Sequence, residues 1–383
     1  MQCNTFVASL RDIKACSESP YISEVLIEPE LFAREGRLSI EEVNARIAEA
    51  HTHHLRAVLV WDILMTDEDF TACALALKTI DLTHVAAIRV QCLGAARHIY
   101  EHYPHVKIQL IAETAHCNLI TLQHWCSYLK ERLERIVLSI QLPAEKIAHY
   151  GETLPVPCEV LGIGRILLFY SRRNLLKKNF GDLGESWREV IAASEESHDR
   201  PFPIVDNTHG TFMYLDKDQF IVHKLHELGS YRPAFLRIDL RHLSEFPDSS
   251  HDIVRIASEA RTSPESLRES WPRPTIAPFF KSNLTTKQFK FLNSELRFSR
   301  DESCIAEVVS TEREKHTVLR IVQPFSMPQR YLAIDPNGSE VLGEFHQLKS
   351  LSGDALTEVS SDQLVLAPWM RKITTGSLVL RAV

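Results

Sequence analysis

Over the first 245 residues, short runs of β-branched and aliphatic residues alternate with stretches whose apolar positions recur every three or four residues. The runs at 4–10 (NTFVASL), 24–28 (EVLIE), 56–62 (RAVLVWD), 86–91 (AAIRVQ), 107–113 (KIQLIAE), 135–141 (RIVLSIQ), 158–164 (CEVLGIG) and 235–240 (FLRIDL) predict strands. Helices are predicted between most of them. SIEEVNARIAEAHTHH begins with Ser39 as an N-cap, and TDEDFTACALALKTI carries acidic residues in its first turn, where the helix dipole favours them. GAARHIYEHY and NLITLQHWCSYLKERL continue the pattern. Apolar strands separated by helices indicate a parallel sheet covered on both faces. Eight such units predict a (β/α)8 barrel of the TIM type over residues 1–260, with an active site at the C-terminal ends of the strands. A doubly wound open sheet is the alternative.

The pattern changes near residue 300. CIAEVVST, TVLRIVQ, RYLAID, EVLGEFH, DQLVLAP and GSLVLRAV are short strands without helices, and DPNGSE at 335–340 has the chemistry of a tight turn. A small all-β, barrel-like domain is expected over 300–383, joined by a linker over 261–299 that contains TSPES and WPRPTIAP.

With 44% hydrophobic and 24% charged residues, the composition is that of a soluble globular protein. No apolar run is long enough to span a membrane and the start does not read as a signal peptide, so a cytoplasmic location is expected. The net charge of -7 disfavours general nucleic-acid binding. The eight cysteines are scattered, without a C-x-x-C pair. HTHH at 51–54 and HKLH at 223–226 invite a metal reading, but no H-E-x-x-H accompanies them, and no metal site is expected. The sequence also lacks a G-x-S-x-G elbow, a Walker loop and a G-x-G-x-x-G turn.

In a barrel, the residues closing the strands meet at one mouth. They are Glu28, Asp62, Gln91, Glu113, Gln141, Arg165, Asp239 and Arg241. Asp239 and Arg241 are two apart, so a carboxylate and a guanidinium would share one wall. The stretch GRILLFYSRRNLLKKNFGD at 164–182 sets Arg165, Arg172, Arg173, Lys177 and Lys178 beside an apolar run, and is expected to form a loop over the mouth.

The chain resembles the U32 peptidase family, the collagenase-like group, in several stretches taken in order. AEAHTHHLRAVLVWDILMTDEDF, IRVQCLGAARHIYEHYPHVKIQLIAET, RIVLSIQLPAEKI, FPIVDNTHGTFMYLDKDQF and FLRIDLRHLS are similar to family segments, and the β-rich tail is similar to its C-terminal barrel. The signature H-G-x-L-C-x-S-Y-S-G-R-C is matched at Gly164, Tyr170, Ser171 and Arg173. Ile163 stands for the His, Leu167 for the first Cys and Asn174 for the second, and no cysteine lies between 158 and 304. The iron–sulfur cluster that the resemblance implies for many members is therefore expected to be absent. GRILLFYSRR is similar to the branch that works in oxygen-independent ubiquinone hydroxylation.

Three readings follow from the resemblance. The first is a cluster-free member binding a small anionic molecule at the mouth through Arg165, Tyr170, Arg173 and Arg241, with Glu113 or Asp239 as acid or base. The second is a non-catalytic partner subunit of a cluster-bearing homologue. The third is a peptidase or RNA-modifying enzyme, as the family label suggests. Whether the chain is an enzyme stays open at this stage.

Overall fold

The computed structural model describes residues 1–113, 118–181, 187–194, 197–243, 252–280, 303–335 and 340–382. Two compact units emerge, Met1–Ser282 and Asn283–Val383.

The first unit holds the expected barrel. Strands β1 (Gln2–Phe6), β2 (Ile22–Ile27), β3 (Arg56–Trp61), β4 (Val85–Val90), β5 (Lys107–Ile111), β6 (Leu133–Val137) and β7 (Cys158–Ser171) pair in parallel in chain order. Strands β8 (Trp187–Ser194), β9 (Ser197–Asn207) and β10 (Gly210–Phe220) follow, and β11 (Phe235–Ile238) then pairs with both β7 and β1, closing the ring. Helices α1 (Leu10–Ser17), α2 (Ile40–Thr52), α3 (Asp67–Leu77), α4 (Leu93–His102), α5 (Leu119–Leu129) and α6 (Ala144–Thr153) connect the strands. Ser39 caps α2 as expected: its side chain accepts from the Glu42 N–H and the Glu42 carboxylate accepts from the Ser39 N–H. The main apolar core lies between strands and helices, with Ile13, Val43, Cys73, Ile99, Leu122 and Ile147 facing Val25, Leu59, Val90 and Leu110.

The barrel interior is not apolar throughout. Asn4, Glu24, Arg89, Gln109, Arg135 and Glu159, one from each of six strands, form a buried polar layer. Arg135 bonds Glu24 at 2.6 and 2.9 Å and Glu159 at 3.0 Å, and Arg89 bonds Glu159 at 2.6 and 2.8 Å. Asn4 donates to both glutamates, and Gln109 bridges Arg89 to Glu24. Two carboxylates and two guanidiniums balance, which is what lets charge persist where water is excluded. A separate apolar layer of Leu26, Ala33, Val58, Val60 and Ala87, with Phe6 beside it, also lies inside the sheet.

Two expectations need correction. Residues 164–171 are not a loop. They prolong β7 out of the barrel, where it pairs antiparallel with β10, and β10 pairs in turn with β9 and β9 with β8. Gly164, at φ +151°, allows the departure: a Cβ there would stand 2.7 Å from the Asp239 Cβ. The expected linker is also partly packed. A helix over Ile253–Thr262 and the segment to Phe280 belong to the first unit, because Trp271 and Phe280 are buried in its core. The rest of the expected linker lies outside the described residues.

In the second unit, strands Cys304–Glu312, His316–Ile321, Gln329–Ile334, Glu340–Phe345, Leu364–Pro368 and Leu378–Arg381 belong to one antiparallel sheet around Ile305, Leu319, Ala333, Val365 and Val379. The interior of the turn expected at 335–340 lies outside the described residues. Among the described residues no helix is long and apolar enough to cross a membrane.

Candidate functional site

The C-terminal ends of the barrel strands carry the charges expected of them, and more. Glu28, Asp62, Glu113 and Asp239 close four strands and Arg241 follows the last. Arg241 bonds Asp239 through Nε at 3.0 Å and Nη2 at 2.7 Å, and reaches Glu28 at 2.6 Å. Its guanidinium lies 3.6 Å from the centre of the Phe6 ring. The shared wall of Asp239 and Arg241 is thus a two-point ion pair. Of the other strand-end residues, Gln91 is half-buried and Gln141 is exposed, with its N–H donating to Ser139.

The loop between β2 and α2 supplies what the sequence pattern concealed. It inserts Ala33 into the apolar layer inside the sheet and swings Arg34 and Glu35 over the mouth. Arg34 Nε lies 2.7 Å from Asp62, its N–H donates to the same carboxylate, and its Nη2 is 3.5 Å from Glu113. Arg237, one turn of the pleat below Asp239, also pairs with Glu113. Glu35 accepts from the Tyr214 hydroxyl at 2.7 Å and lies 3.5 Å from Arg241. Gly36 permits the tight loop, since a Cβ there would stand 2.1 Å from the Pro29 carbonyl oxygen.

The antiparallel extension roofs this cluster. Directly paired residues point to one side of a sheet. The row Tyr170–Phe212–Val205–Glu189 therefore shares a face, and this face looks inward. Tyr170 stacks on Phe212 at 4.4 Å, accepts from the Leu64 N–H at 3.0 Å and donates to the His209 carbonyl at 3.3 Å. Arg165 bonds Glu189 at 2.7 Å and lies 4.9 Å from the Tyr214 ring centre. Arg165 and Arg241 therefore flank the Tyr214–Glu35 pair, as two of the expected ligand contacts. Arg173 is not brought there. It is exposed on the segment after β7, and its carbonyl accepts from the Thr211 hydroxyl at 2.8 Å.

Burial divides the carboxylates by protonation. Burial pushes Glu28 up to about 8 against the opposing pull of Arg241, and the neighbouring Glu35, Asp62 and Asp239 add to the rise. Burial would raise Glu113 as well, but Arg237 and Arg34 more than reverse it and hold the group at about 2. Asp239 is likewise held well below the usual carboxylate range, chiefly by Arg241, against its burial. The two carboxylates expected to serve as acid or base thus stay ionised near neutral pH, and of the three Glu28 titrates closest to it. Burial pushes Tyr170 up to about 12.

The signature segment does not suit a cysteine-held cluster. Leu167 packs against the group formed by Val205, Phe212 and Tyr214. Asn174 donates to the Asn207 carbonyl at 2.7 Å and to Asp206 at 3.3 Å. Neither side chain offers a thiolate, so the residues in these two positions do not fit the group. Among the described residues no three His, Cys, Asp or Glu converge as a metal site. His226 Nδ1 instead lies 3.1 Å from the His223 carbonyl.

The sequence model of peptidase family U32 matches residues 28–238. A search of curated proteins returned no match. Among solved structures, the U32 peptidase Mk0906 is similar over 43% of this chain and 69% of its own, with 10% identity and a TM-score of 0.33. The C-terminal domain of a U32 peptidase from Geobacillus thermoleovorans matches over 22% of this chain and 99% of its own, with 9% identity and a TM-score of 0.21. The GH113 β-mannanase AaManA from Alicyclobacillus acidocaldarius matches over 43% of this chain and 71% of its own, with 11% identity and a TM-score of 0.30. With more than half of its length matched by the family's sequence model, the chain belongs to peptidase family U32.

Proposed function

We propose that this chain is a U32-family protein without a cysteine-held cluster, and that its barrel mouth holds a small molecule through an acidic group. Arg241 takes that group, and Arg165, largely buried and paired with Glu189, lies beside it against the Tyr214 ring. One observation carries the reading. The Arg241 side chain is 27% accessible, whereas Arg34, Arg237, Glu28, Glu35, Asp62, Glu113 and Asp239 lie at 14% or below. An arriving oxyanion meets Arg241 first. Glu28 is the partner it displaces most readily, because a carboxyl raised to about 8 is mostly neutral at pH 7 and holds the guanidinium more weakly than Asp239 does. Where turnover follows, Glu28 is the proton-exchanging group. The likeness of GRILLFYSRR to the ubiquinone-hydroxylation branch supports a place in cofactor biosynthesis.

Calorimetric titration with phosphate and with small mono- and dicarboxylates tests this. Saturable binding of at least one is expected, weakened in Arg241→Gln by about 1.5–3 kcal/mol and unchanged in Lys177→Ala. If no acid binds saturably, or if Arg241→Gln binds as well as the native chain, the mouth is not the site. The partner-subunit reading then takes its place.

A further inference from the structure

The antiparallel extension has a second face, which the mouth does not use. Phe169 pairs with Met213, Met213 with Ile204, and Ile204 with Val190, so these four side chains form one row across the strands, opposite to Tyr170 and Phe212. The next row on the same face is Ser171–Thr211–Asp206–Arg188. The segment after β7 runs across that row. The Leu175 N–H donates to the Thr211 hydroxyl at 2.8 Å, Asn174 reaches Asp206, and Arg188 donates to the Phe180 and Gly181 carbonyls. The outward side of the crossing segment presents Leu175, 49% exposed, and Phe180, 53% exposed, together with exposed Arg173 and Lys177. Phe169 is 42% exposed, and Leu168, bulged out of the pairing, is 43% exposed. Arg172 touches Asp69 and remains 45% exposed.

We propose that this outer face docks on a membrane surface rich in anionic phospholipid. The face combines two features that such a surface selects. Exposed Leu168, Phe169, Leu175 and Phe180, with half-buried Met213, Ile204 and Val190 beside them, suit the boundary between headgroups and acyl chains. Exposed Arg173 and Lys177 lie beside them, and the sequence holds no Asp or Glu from Gly164 to Gly181 in a chain whose net charge is -7. The net negative charge of the chain opposes approach to an anionic surface, and a local cationic patch relieves that repulsion and orients the contact. A nucleic-acid strand fits less well, because base stacking calls for aromatic platforms and this row is mostly aliphatic.

The test is co-sedimentation of the full chain with vesicles of phosphatidylcholine alone, or of phosphatidylcholine mixed with phosphatidylglycerol. Binding to the mixed vesicles alone is expected, released by high salt and not by soluble glycerol phosphate. Phe169→Glu and Lys177→Glu each lower the partition by about tenfold. Ile120→Glu, at a 69% exposed position of α5, leaves it unchanged. The proposal is overturned by binding to neither vesicle, by equal binding to both, or by indifference to Phe169→Glu and Lys177→Glu. It is equally overturned if these substitutions abolish self-association or RNA binding while vesicle binding stays absent.

Discussion

Arg241 Nη1 lies 2.6 Å from Glu28 Oε1 across the barrel mouth, joining the two ends of a chain segment more than two hundred residues long. Burial keeps Glu28 protonated at neutral pH in the folded state, with a pKa of about 8, whereas an unfolded glutamate titrates near 4.5. The folded state binds the extra proton between these values. Its contribution to stability is therefore complete below about 4.5 and is lost as pH rises through about 8. Glu28→Gln should flatten the fall in melting temperature over that window and melt above the native chain at pH 9. Equal slopes for the two proteins would show that Glu28 ionises normally.

Glu113 has the opposite sign. Its pKa is lowered to about 2, so its contribution is present above about 4.5 and is lost as pH falls through 2. Glu113→Gln should lose stability at pH 7 and little at pH 2.5, as measured by urea unfolding at the two values.

The polar layer inside the barrel should tolerate no single deletion. Arg135→Met leaves Glu24 and Glu159 buried with half their counter-charge, and should cost about 3–5 kcal/mol in urea unfolding. The exposed pair Arg97–Glu101, 2.8 Å apart, should contribute about 0.2–1 kcal/mol when tested by Arg97→Met. Equal losses would mean that the layer is hydrated.

Gly210 turns the chain from β9 into β10 at φ +121°, and a Cβ there would stand 2.1 Å from the Ser171 carbonyl oxygen. Gly210→Ala should loosen the roof over the mouth without unfolding the barrel. Hydrogen exchange should rise in 164–174 and 202–214 and stay unchanged in β2 to β5. Unchanged exchange throughout would show that the contact relaxes at no cost.

The purified chain should be colourless and free of iron when prepared without oxygen, since Leu167 and Asn174 offer no thiolate. Stoichiometric iron and sulfide with visible absorbance would show that more distant cysteines such as Cys92 converge on one site.

Much of the fold was legible along the chain, because local pattern and burial agree there. Eight apolar runs separated by helical periodicities specify a parallel sheet covered on both faces, and the Ser39 cap marks the start of α2 by local chemistry alone. The strand-end acids Glu28, Asp62, Glu113 and Asp239, and Arg241 beside them, follow from the same periodicity, since a barrel brings all strand ends to one mouth. Tertiary structure alone decided the rest. Arg34 and Glu35 reach the mouth because Ala33 finds an apolar layer inside the sheet, a contact that no neighbouring residue announces. Arg237 and the polar layer of Glu24, Arg89, Arg135 and Glu159 had a signal, a charged residue within each apolar run, but their partners are up to 155 residues apart in the chain. The basic stretch after Gly164 was legible as charge and not as a strand, because its partner β10 lies some forty residues further on. The opposite pKa shifts of Glu28 and Glu113 were decided last. They depend on how many guanidiniums each carboxylate meets once water is excluded, and only the folded chain sets that number.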